Sequence, residues 1–314
     1  MISVIIPTYK RNDNLKRAID SVLKQKGEYE LIIVDDNDPN TIYRKNNDIL
    51  MSNYKKNKNV YYYKHESNKN GAAARNTGIM HAHGDYITFL DDDDEFLPNR
   101  IKKVEEILKK DDYDFIVTGF SIKKNNQLIG EYYPTIKNKK DLILGLLNQK
   151  SFFGTGSNLI CKTSIVKKIS GFDETFLRHQ DMEFAIRFLE KSNKIYSIKE
   201  NLVCKHTDDR SNMQTFEKMV SIKEKYLSKF DYILNDLTNK EKKKILVNNY
   251  YELLNTAYSK KDVNEIKKCR IYLKEKKIYN PIKEILICIK NYIKRNKFLF
   301  RLVRVIKKWK KFYF

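Results

Sequence analysis

The run Gly84-Asp85-Tyr86-Ile87-Thr88-Phe89-Leu90-Asp91-Asp92-Asp93-Asp94-Glu95 sets a stretch of uncharged β-formers directly against five carboxylates. Tyr86 to Leu90 carries no charge, and such a run suits a strand buried on both faces of a sheet. Five adjacent carboxylates cannot all stay ionised in a compact protein without counter-charge. They must take up protons, basic side chains or a divalent metal, and a hard cation is the economical answer. The plain alternative is a solvated acidic turn, because charge runs usually stay in water. Position favours the functional reading: in open α/β sheets, ligands gather beyond the carboxyl ends of the strands.

Neighbouring segments repeat the pattern. Ser3 to Tyr9 is a β-branched run stopped by Pro7, hence a first buried strand, and Asn12 or Asp13 is placed to cap the helix that follows. Leu15, Ala18, Ile19, Val22 and Leu23 fall on one face of that helix, Gly27 ends it, and Leu31 to Val34 forms a second strand closing in Asp35-Asp36. A unit of this length implies parallel strands joined by a right-handed crossover. Val60 to Tyr63 is a third strand. Three strand ends, at Thr8-Tyr9, Asp35-Asp36 and Asp91 to Asp94, thus converge on one sheet edge.

Between the third and fourth strands, Gly71 and the alanines after it permit close backbone approach, and Arg75 offers a rigid five-donor fork for phosphate or carboxylate. Simple helix packing is the alternative there. No GxGxxG follows a strand and no GxxxxGK[ST] occurs, which sets aside the dinucleotide and P-loop classes. Downstream, a helix is expected from Pro98 to Lys110, a strand from Asp114 to Phe120 and a polar turn at Lys123 to Gln127. A glycine-bearing stretch, Phe152 to Asn158, leads into Leu159-Ile160-Cys161. A later helix contains Gln180-Asp181-Met182-Glu183, with Asp181 at its N-terminal end, where the helix dipole favours negative charge. A simple capping carboxylate is the alternative reading of Asp181.

Composition narrows the partners. The 314 residues carry a formal charge of +22, which points to an anionic partner such as nucleic acid, a membrane surface or a phosphorylated substrate. A nucleic-acid binder needs basic residues interleaved with aromatics on one surface. Here carboxylates stand at the strand ends and much of the excess positive charge is C-terminal, so no nucleic acid is expected. Cys161, Cys204, Cys269 and Cys288 form no CxxC pair and suit a reducing compartment. No apolar run reaches eighteen residues, and Met1 leads straight into a strand; a cytosolic protein is expected. From about Met213 the chain turns Lys-rich and helical in pattern, and residues 281–314 hold eleven Lys/Arg against one acid. As a helix this tail places Leu299, Leu302, Ile306, Trp309 and Tyr313 opposite Arg301, Arg304, Lys308 and Lys311. That is a membrane-surface pattern, with a basic helix of a bundle as the alternative.

Taken together, Val4 to Tyr9, Val34-Asp35-Asp36, Asn70 to Gly78, Gly84 to Asp94, Gly171-Phe172-Asp173-Glu174 and Gln180-Asp181 with Glu183 and Arg187 resemble glycosyltransferase family 2 over roughly residues 2–210. The resemblance implies an α/β GT-A fold, a Rossmann-like and mostly parallel sheet flanked by helices. Residues 1–211 would form the catalytic domain and residues 212–314 a basic helical extension. It also implies an inverting transfer from a UDP-sugar to a hydroxyl of a glycan or lipid-linked acceptor, in bacterial capsule, O-antigen or teichoic-acid assembly. By the same resemblance, Pro7, Thr8, Tyr9 and Arg11 wall the nucleoside and Asp36 accepts from the uracil imide. Arg75 and Asp91 contact the nucleotide, Asp92 the ribose. Asp93 holds Mn2+ or Mg2+, with His206 near the metal, and Asp181 is the base, with Glu183 the next candidate. Gly156, Ser157, His179 and Gln180 would face sugar or acceptor. Gln180 departs from the family's usual Glu, and four consecutive aspartates leave the D-x-D register open by one residue. The enzyme would sit at the inner face of the membrane. A non-catalytic transferase-like binding protein is the competing class.

Overall fold

The computed structural model describes residues 1–11, 13–136, 138–149, 156–207 and 215–296. It divides into two compact units, Met1–Leu146 with Lys150–Arg210, and Leu147–Gln149 with Ser211–Phe314. The expected cap Asn12, the stretch 150–155 and the tail from 297 onward lie outside the described residues.

In the first unit, β1 (Ile2–Thr8), α1 (Asp13–Leu23), β2 (Tyr29–Asp35), α2 (Ile42–Ser52), β3 (Val60–Lys64), α3 (Gly71–Met80) and β4 (Tyr86–Phe89) alternate strictly. There follow β5 (Glu95–Phe96), α4 (Arg100–Leu108), β6 (Phe115–Lys124), β7 (Gln127–Tyr132), α5 (Lys139–Leu147), a short turn at Gly156–Asn158, β8 (Leu159–Lys162), α6 (Thr163–Lys168), α7 (Gln180–Lys191) and β9 (Ile195–His206). The nine strands form one sheet in the order β3-β2-β1-β4-β8-β6-β9-β5, with β7 beside β6. The pairs β3-β2, β2-β1 and β1-β4 are parallel, as is β6-β9, whereas β8 runs antiparallel to both β4 and β6. Because the chain moves outward from β1 to β3 and then returns to β4 on the other side, strand order reverses at β1. A crevice opens there beyond the strand ends, and Thr8-Tyr9 and Asp91 to Asp94 flank it.

Alternation along the strands feeds both faces of the sheet. Val4, Ile6, Leu31, Ile33, Leu90 and Ile116 join Leu15, Ala18, Ile19 and Val22 of α1 and Ile101, Val104 and Ile107 of α4 in one core cluster. On the other face Phe89 meets Phe172 and Phe184 edge-on, and Phe115 meets Phe188 of α7. Two elements depart from the expected boundaries. Helix α4 begins at Arg100 rather than Pro98, and β9 is a long strand that the polar run Lys199-Glu200-Asn201 conceals in the sequence. That run is a bulge. The register slips where Gly119 of β6 opposes it, and a Cβ on Gly119 would sit 2.7 Å from the Glu200 carbonyl. The bulge lets β9 continue to His206, beside the acidic turn.

The second unit is helical: α8 (Phe216–Lys229), α9 (Asp231–Asn235), α10 (Asn239–Lys260), α11 (Val263–Glu275) and α12 (Pro281–Arg295). Thr215, Thr238, Asp262 and Asn280 cap their helices, Thr238 in a full capping box with Glu241. Tyr226, Phe230, Leu253, Leu254 and Leu273 are among its buried side chains. Among the described residues no helix is long and apolar enough to cross a membrane.

Helix α3 lies unusually close to β1 because its packed face is Ala72, Ala73, Ala74 and Gly78. A Cβ on Gly78 would come within 2.4 Å of Ile5 Cγ2 in the centre of the sheet. Gly78→Ala is therefore expected to lower unfolding free energy by about 1–3 kcal/mol through overpacking, read as a lower urea midpoint at unchanged slope. An unshifted midpoint would show that α3 is free to move off the sheet.

Candidate active site

Beyond β4 the chain closes a turn, with the Asp94 N–H donating to the Asp91 carbonyl at 2.9 Å. Asp92 and Asp94 turn inward and are buried, while Asp91 and Asp93 keep side-chain exposures of 32% and 25%. The inward pair is held by hydroxyls. Thr8 Oγ1 donates to Asp92 at 2.7 Å, and Ser157 Oγ donates to Asp94 at 2.8 Å while accepting the Asp91 N–H at 3.0 Å. The outward pair is held by arginines: Arg75 on Asp91 at 2.6 Å and Arg11 on Asp93 at 2.9 Å, with Arg11 also 3.9 Å from Asp92. Arg17 donates to the Asp93 carbonyl at 2.5 Å.

Protons complete the compensation. Burial, opposed by the Thr8 hydrogen bond and reinforced by Asp93, raises the Asp92 carboxyl to about 8. Burial with the charges of Asp91 and Asp93 raises Asp94 to about 7. Glu95 goes the other way, to about 2, because His206 hydrogen-bonds it at 3.0 Å and Lys123 stands 3.4 Å away. His206 in turn is raised to about 9 by hydrogen bonds to Cys204 and Glu95. The cysteines look scattered in sequence, yet Cys204 and His206, two residues apart on one strand face, bring their ligand atoms and that of Glu95 within 4.8 Å of one another. His206 is thus engaged with Glu95, and its backbone N–H points to Asp94 at 3.4 Å.

Asp36 is buried. Its two oxygens accept from His65 at 2.7 Å, Lys69 N at 2.8 Å, Asn68 Nδ2 at 2.8 Å and Asn70 N at 2.9 Å, which occupies a carboxylate's lone-pair sites. It thereby anchors the loop 65–70. Asp35 is likewise occupied by Asn37, Asn47, Tyr62 and Arg44. Asp92 is held on Thr8, while Asp91 and Asp93 keep the greater exposure. Pro7 is half-buried and the Tyr9 ring is exposed beside it, with Lys10 Nζ 4.9 Å from the ring centre.

Arg75 joins the sheet edge to α7. Besides Asp91 it donates to Gln180 Oε1 at 3.1 Å and to the Gly71 carbonyl at 3.2 Å, and its guanidinium lies 5.5 Å from the centre of the Phe172 ring. Gln180 is fixed from its other end by donating to the Phe176 carbonyl. Beside it Asp181 is half-buried and accepts the Met182 N–H at 3.0 Å. Burial and the charge of Asp91 raise its pKa, with Arg75 opposing. Gly156 lies against it, since a Cβ there would be 3.6 Å from Asp181 Cβ. Ser157 is buried and clips the acidic turn through Asp94 and the Asp91 N–H. His179 precedes α7 in the left-handed region with φ 60° and is half-buried. Glu183 is buried in a two-point pair with Arg187, at 2.5 and 2.8 Å, which removes it as a free base.

Several supporting residues gave no local signal. Arg100 is fully buried and donates to Thr118 at 2.6 Å, Thr88 at 3.2 Å and the Ser157 carbonyl at 3.0 Å, bracing the 156–158 turn against β4. Arg44 and His65 organise the loops around Asp35 and Asp36. Asn76 ties α3 to the 171–174 turn by accepting from Phe172 N at 2.8 Å and donating to the Phe172 carbonyl and Glu174. Each of these partners lies far away in sequence, where spacing carries no information.

The chain is similar to known proteins. The glycosyl transferase family 2 model matches residues 3–170. Among curated proteins, the chain is 25% identical over 241 residues to the Escherichia coli UDP-Glc:alpha-D-GlcNAc-diphosphoundecaprenol beta-1,3-glucosyltransferase WfgD, covering 76% of this chain and 88% of that one. It is 29% identical over 307 residues to an uncharacterised glycosyltransferase of Rickettsia typhi, covering 93% and 92%. Among solved structures, S. aureus TarS 1–349 in complex with UDP-GlcNAc superimposes with a TM-score of 0.62 at 19% identity over 86% of this chain and 79% of that one. Of a longer TarS chain it spans 43%, with a TM-score of 0.56. The TarS likeness shows the GT-A fold, and the match over more than half of the sequence assigns the family: the chain belongs to glycosyl transferase family 2 and is a glycosyltransferase.

Proposed function

We propose that this transferase moves a sugar, with inversion, from a UDP-sugar to a hydroxyl of a glycan or lipid-linked acceptor in the synthesis of a bacterial surface polysaccharide. The observation that carries the reading is the meeting, at one strand-order reversal, of the partly exposed carboxylates Asp91 and Asp93 with the N-terminal end of α7, where Arg75 bonds both Asp91 and Gln180, the neighbour of the raised-pKa carboxylate Asp181. The names of relatives support the substrate classes: WfgD uses UDP-Glc and a diphosphoundecaprenol acceptor, and AmsB acts in amylovoran biosynthesis.

Tyr9, exposed at the end of β1, stacks on the base, and the loop anchored by Asp36 forms the wall beside it. Asp91 and Asp93 would hold the divalent cation. Their hard oxygens, partly open to solvent, fit Mn2+ or Mg2+, whereas the inward Asp92 and Asp94 do not. When bound, the cation supplies positive charge against the diphosphate leaving group. Arg11 and Arg75, paired with Asp93 and Asp91, lie where their guanidinium forks would also reach the phosphates of the donor. Asp181 takes the proton from the acceptor hydroxyl as it attacks the anomeric carbon from the face opposite the diphosphate. Its raised pKa strengthens it as a base, and half-burial still leaves it reachable. Gln180 accepts from Arg75 without neutralising it, which leaves that charge for Asp91 and the nucleotide. Capture of the donor without turnover is the competing class, and turnover decides it.

Asp181→Asn is expected to lower kcat by about 10²-fold or more, with UDP affinity near that of the parent. The acid limb of kcat/KM in the parent should lie above the ordinary carboxylate range, because burial and Asp91 raise this group. Near-parental turnover in Asp181→Asn, or a product of retained configuration, would overturn the assignment.

The acidic turn yields a second expectation. Asp92 and Asp94 titrate near 8 and 7 in the folded chain, far above an unfolded aspartate at about 3.9. Their contribution to stability is complete below the unfolded value and is lost as pH rises through 7 to 8. In chelator the melting temperature should therefore fall from pH 6 to pH 9, and Mn2+ should raise it more at pH 8.5 than at pH 6. Equal increments at the two pH values would mean that the cation and the protons do not compete for this turn.

A further inference from the structure

Helix α12 reverses the polarity of an ordinary surface helix. Its buried positions are polar. Glu284 accepts from Tyr258 at 2.6 Å, Tyr279 at 2.7 Å and Arg270 at 2.6 Å, while Asn291 accepts from Ser259 at 2.9 Å and donates to Asn255 at 3.0 Å. Its exposed positions are apolar: Ile282 (68%), Ile285 (56%), Leu286 (60%), Ile289 (49%) and Tyr292 (63%). Steps of three and four place these five side chains on one face. The outward surface is otherwise cationic. Lys290 and Lys294, both exposed, run along one edge of the apolar ridge, and the helix's only acid is Glu284, which is buried against Arg270.

An apolar ridge of this kind needs a cover, and charge selects which. A second copy laid on the ridge would bring Lys290 and Lys294 of both chains together, with no acidic side chain on the outward face to separate them. The segment 297–314 is a poor cover for the same reason, since it holds seven Lys/Arg and no Asp/Glu. A lipid surface offers what neither protein cover has, anionic headgroups above an apolar layer. We propose that the exposed face of α12 lies in the headgroup region of an anionic bilayer, with Ile282, Ile285, Leu286 and Ile289 directed to the acyl boundary and Lys290 and Lys294 to lipid phosphates. The arrangement is peripheral and is independent of the identity of donor and acceptor.

The test uses the full chain and vesicles of phosphatidylcholine with or without phosphatidylglycerol, read by co-sedimentation. Binding is expected only with the anionic lipid and should weaken as salt rises. Lys290→Gln with Lys294→Gln should reduce the partition coefficient on the order of 30-fold, as expected for two interfacial cations. Ile285→Glu with Ile289→Glu should reduce it on the order of 100-fold or more, since both the apolar contact and the charge balance are lost. All four positions are exposed, so melting temperature and donor hydrolysis should stay at parental values, which separates failure of docking from failure of the transferase reading. Equal binding to neutral vesicles, or parental binding by the Ile285→Glu/Ile289→Glu chain, would overturn the proposal. So would a concentration-dependent dimer that the same pair of changes dissolves, because it would give the face to a second copy.

Discussion

Four aspartates in succession at the end of β4 impose the constraint around which the first unit is arranged. Like charges at that spacing raise one another's pKa and repel in a partly dry site. Two separate solutions are used within the turn. The inward pair sits on hydroxyls from Thr8 and Ser157 and can keep protons; the outward pair sits on Arg75 and Arg11. The turn thus separates two buried carboxylates from two that keep partial exposure. The parts drawn in by this compensation come from β1, α1, α3, the 156–158 turn and the end of β9, so satisfying the acidic turn also closes the site.

Arg75 is the member of that set with most to reconcile. Its fork must serve Asp91, Gln180 and the Gly71 carbonyl at once while its plane faces Phe172. A lysine has neither the fork nor the plane. A glutamate at position 180 would be a second anion on the same guanidinium and would share a cation that Asp91 now holds with only a neutral competitor. Gln180 keeps the hydrogen bond and omits the charge. The same reasoning applies to Asp181, for which Arg75 is the main cation opposing the raised pKa. One more carboxylate drawing on Arg75 would push the Asp181 carboxyl further towards its protonated form.

Much of this was legible in the sequence wherever the signal was local. The strands β1 to β4 and the helices between them follow from runs and periodicity, and three strand ends carrying polar residues locate the crevice. What stayed hidden is non-local. Whether a carboxylate in Val34-Asp35-Asp36 faces a ligand or a loop depends on His65, Asn68, Lys69 and Asn70, about thirty residues on. Arg100 reads as the first residue of an amphipathic helix, and only the fold shows it buried against Thr118 and Ser157. Strand β9 escaped because its bulge puts three polar residues where alternation should continue. Glu183 is chemically a plausible base until Arg187, one turn later, is seen to hold both of its oxygens.

The distribution of charge separates two tasks that composition merges. Residues 1–210 carry 35 Lys/Arg and 30 Asp/Glu, close to balance, whereas residues 211–314 carry 27 and 10. A strongly basic catalytic unit would draw in any polyanion. Here the cations beside the acidic turn, Arg75 and Arg11, are paired with Asp91 and Asp93. In the helical region lysines also meet carboxylates, Lys223 with Glu252 and Lys276 with Glu224 among them, but at α12 the one acid is buried while Lys290 and Lys294 stand in solvent. If α12 meets an anionic surface as proposed, that attraction rests on residues other than those of the acidic turn.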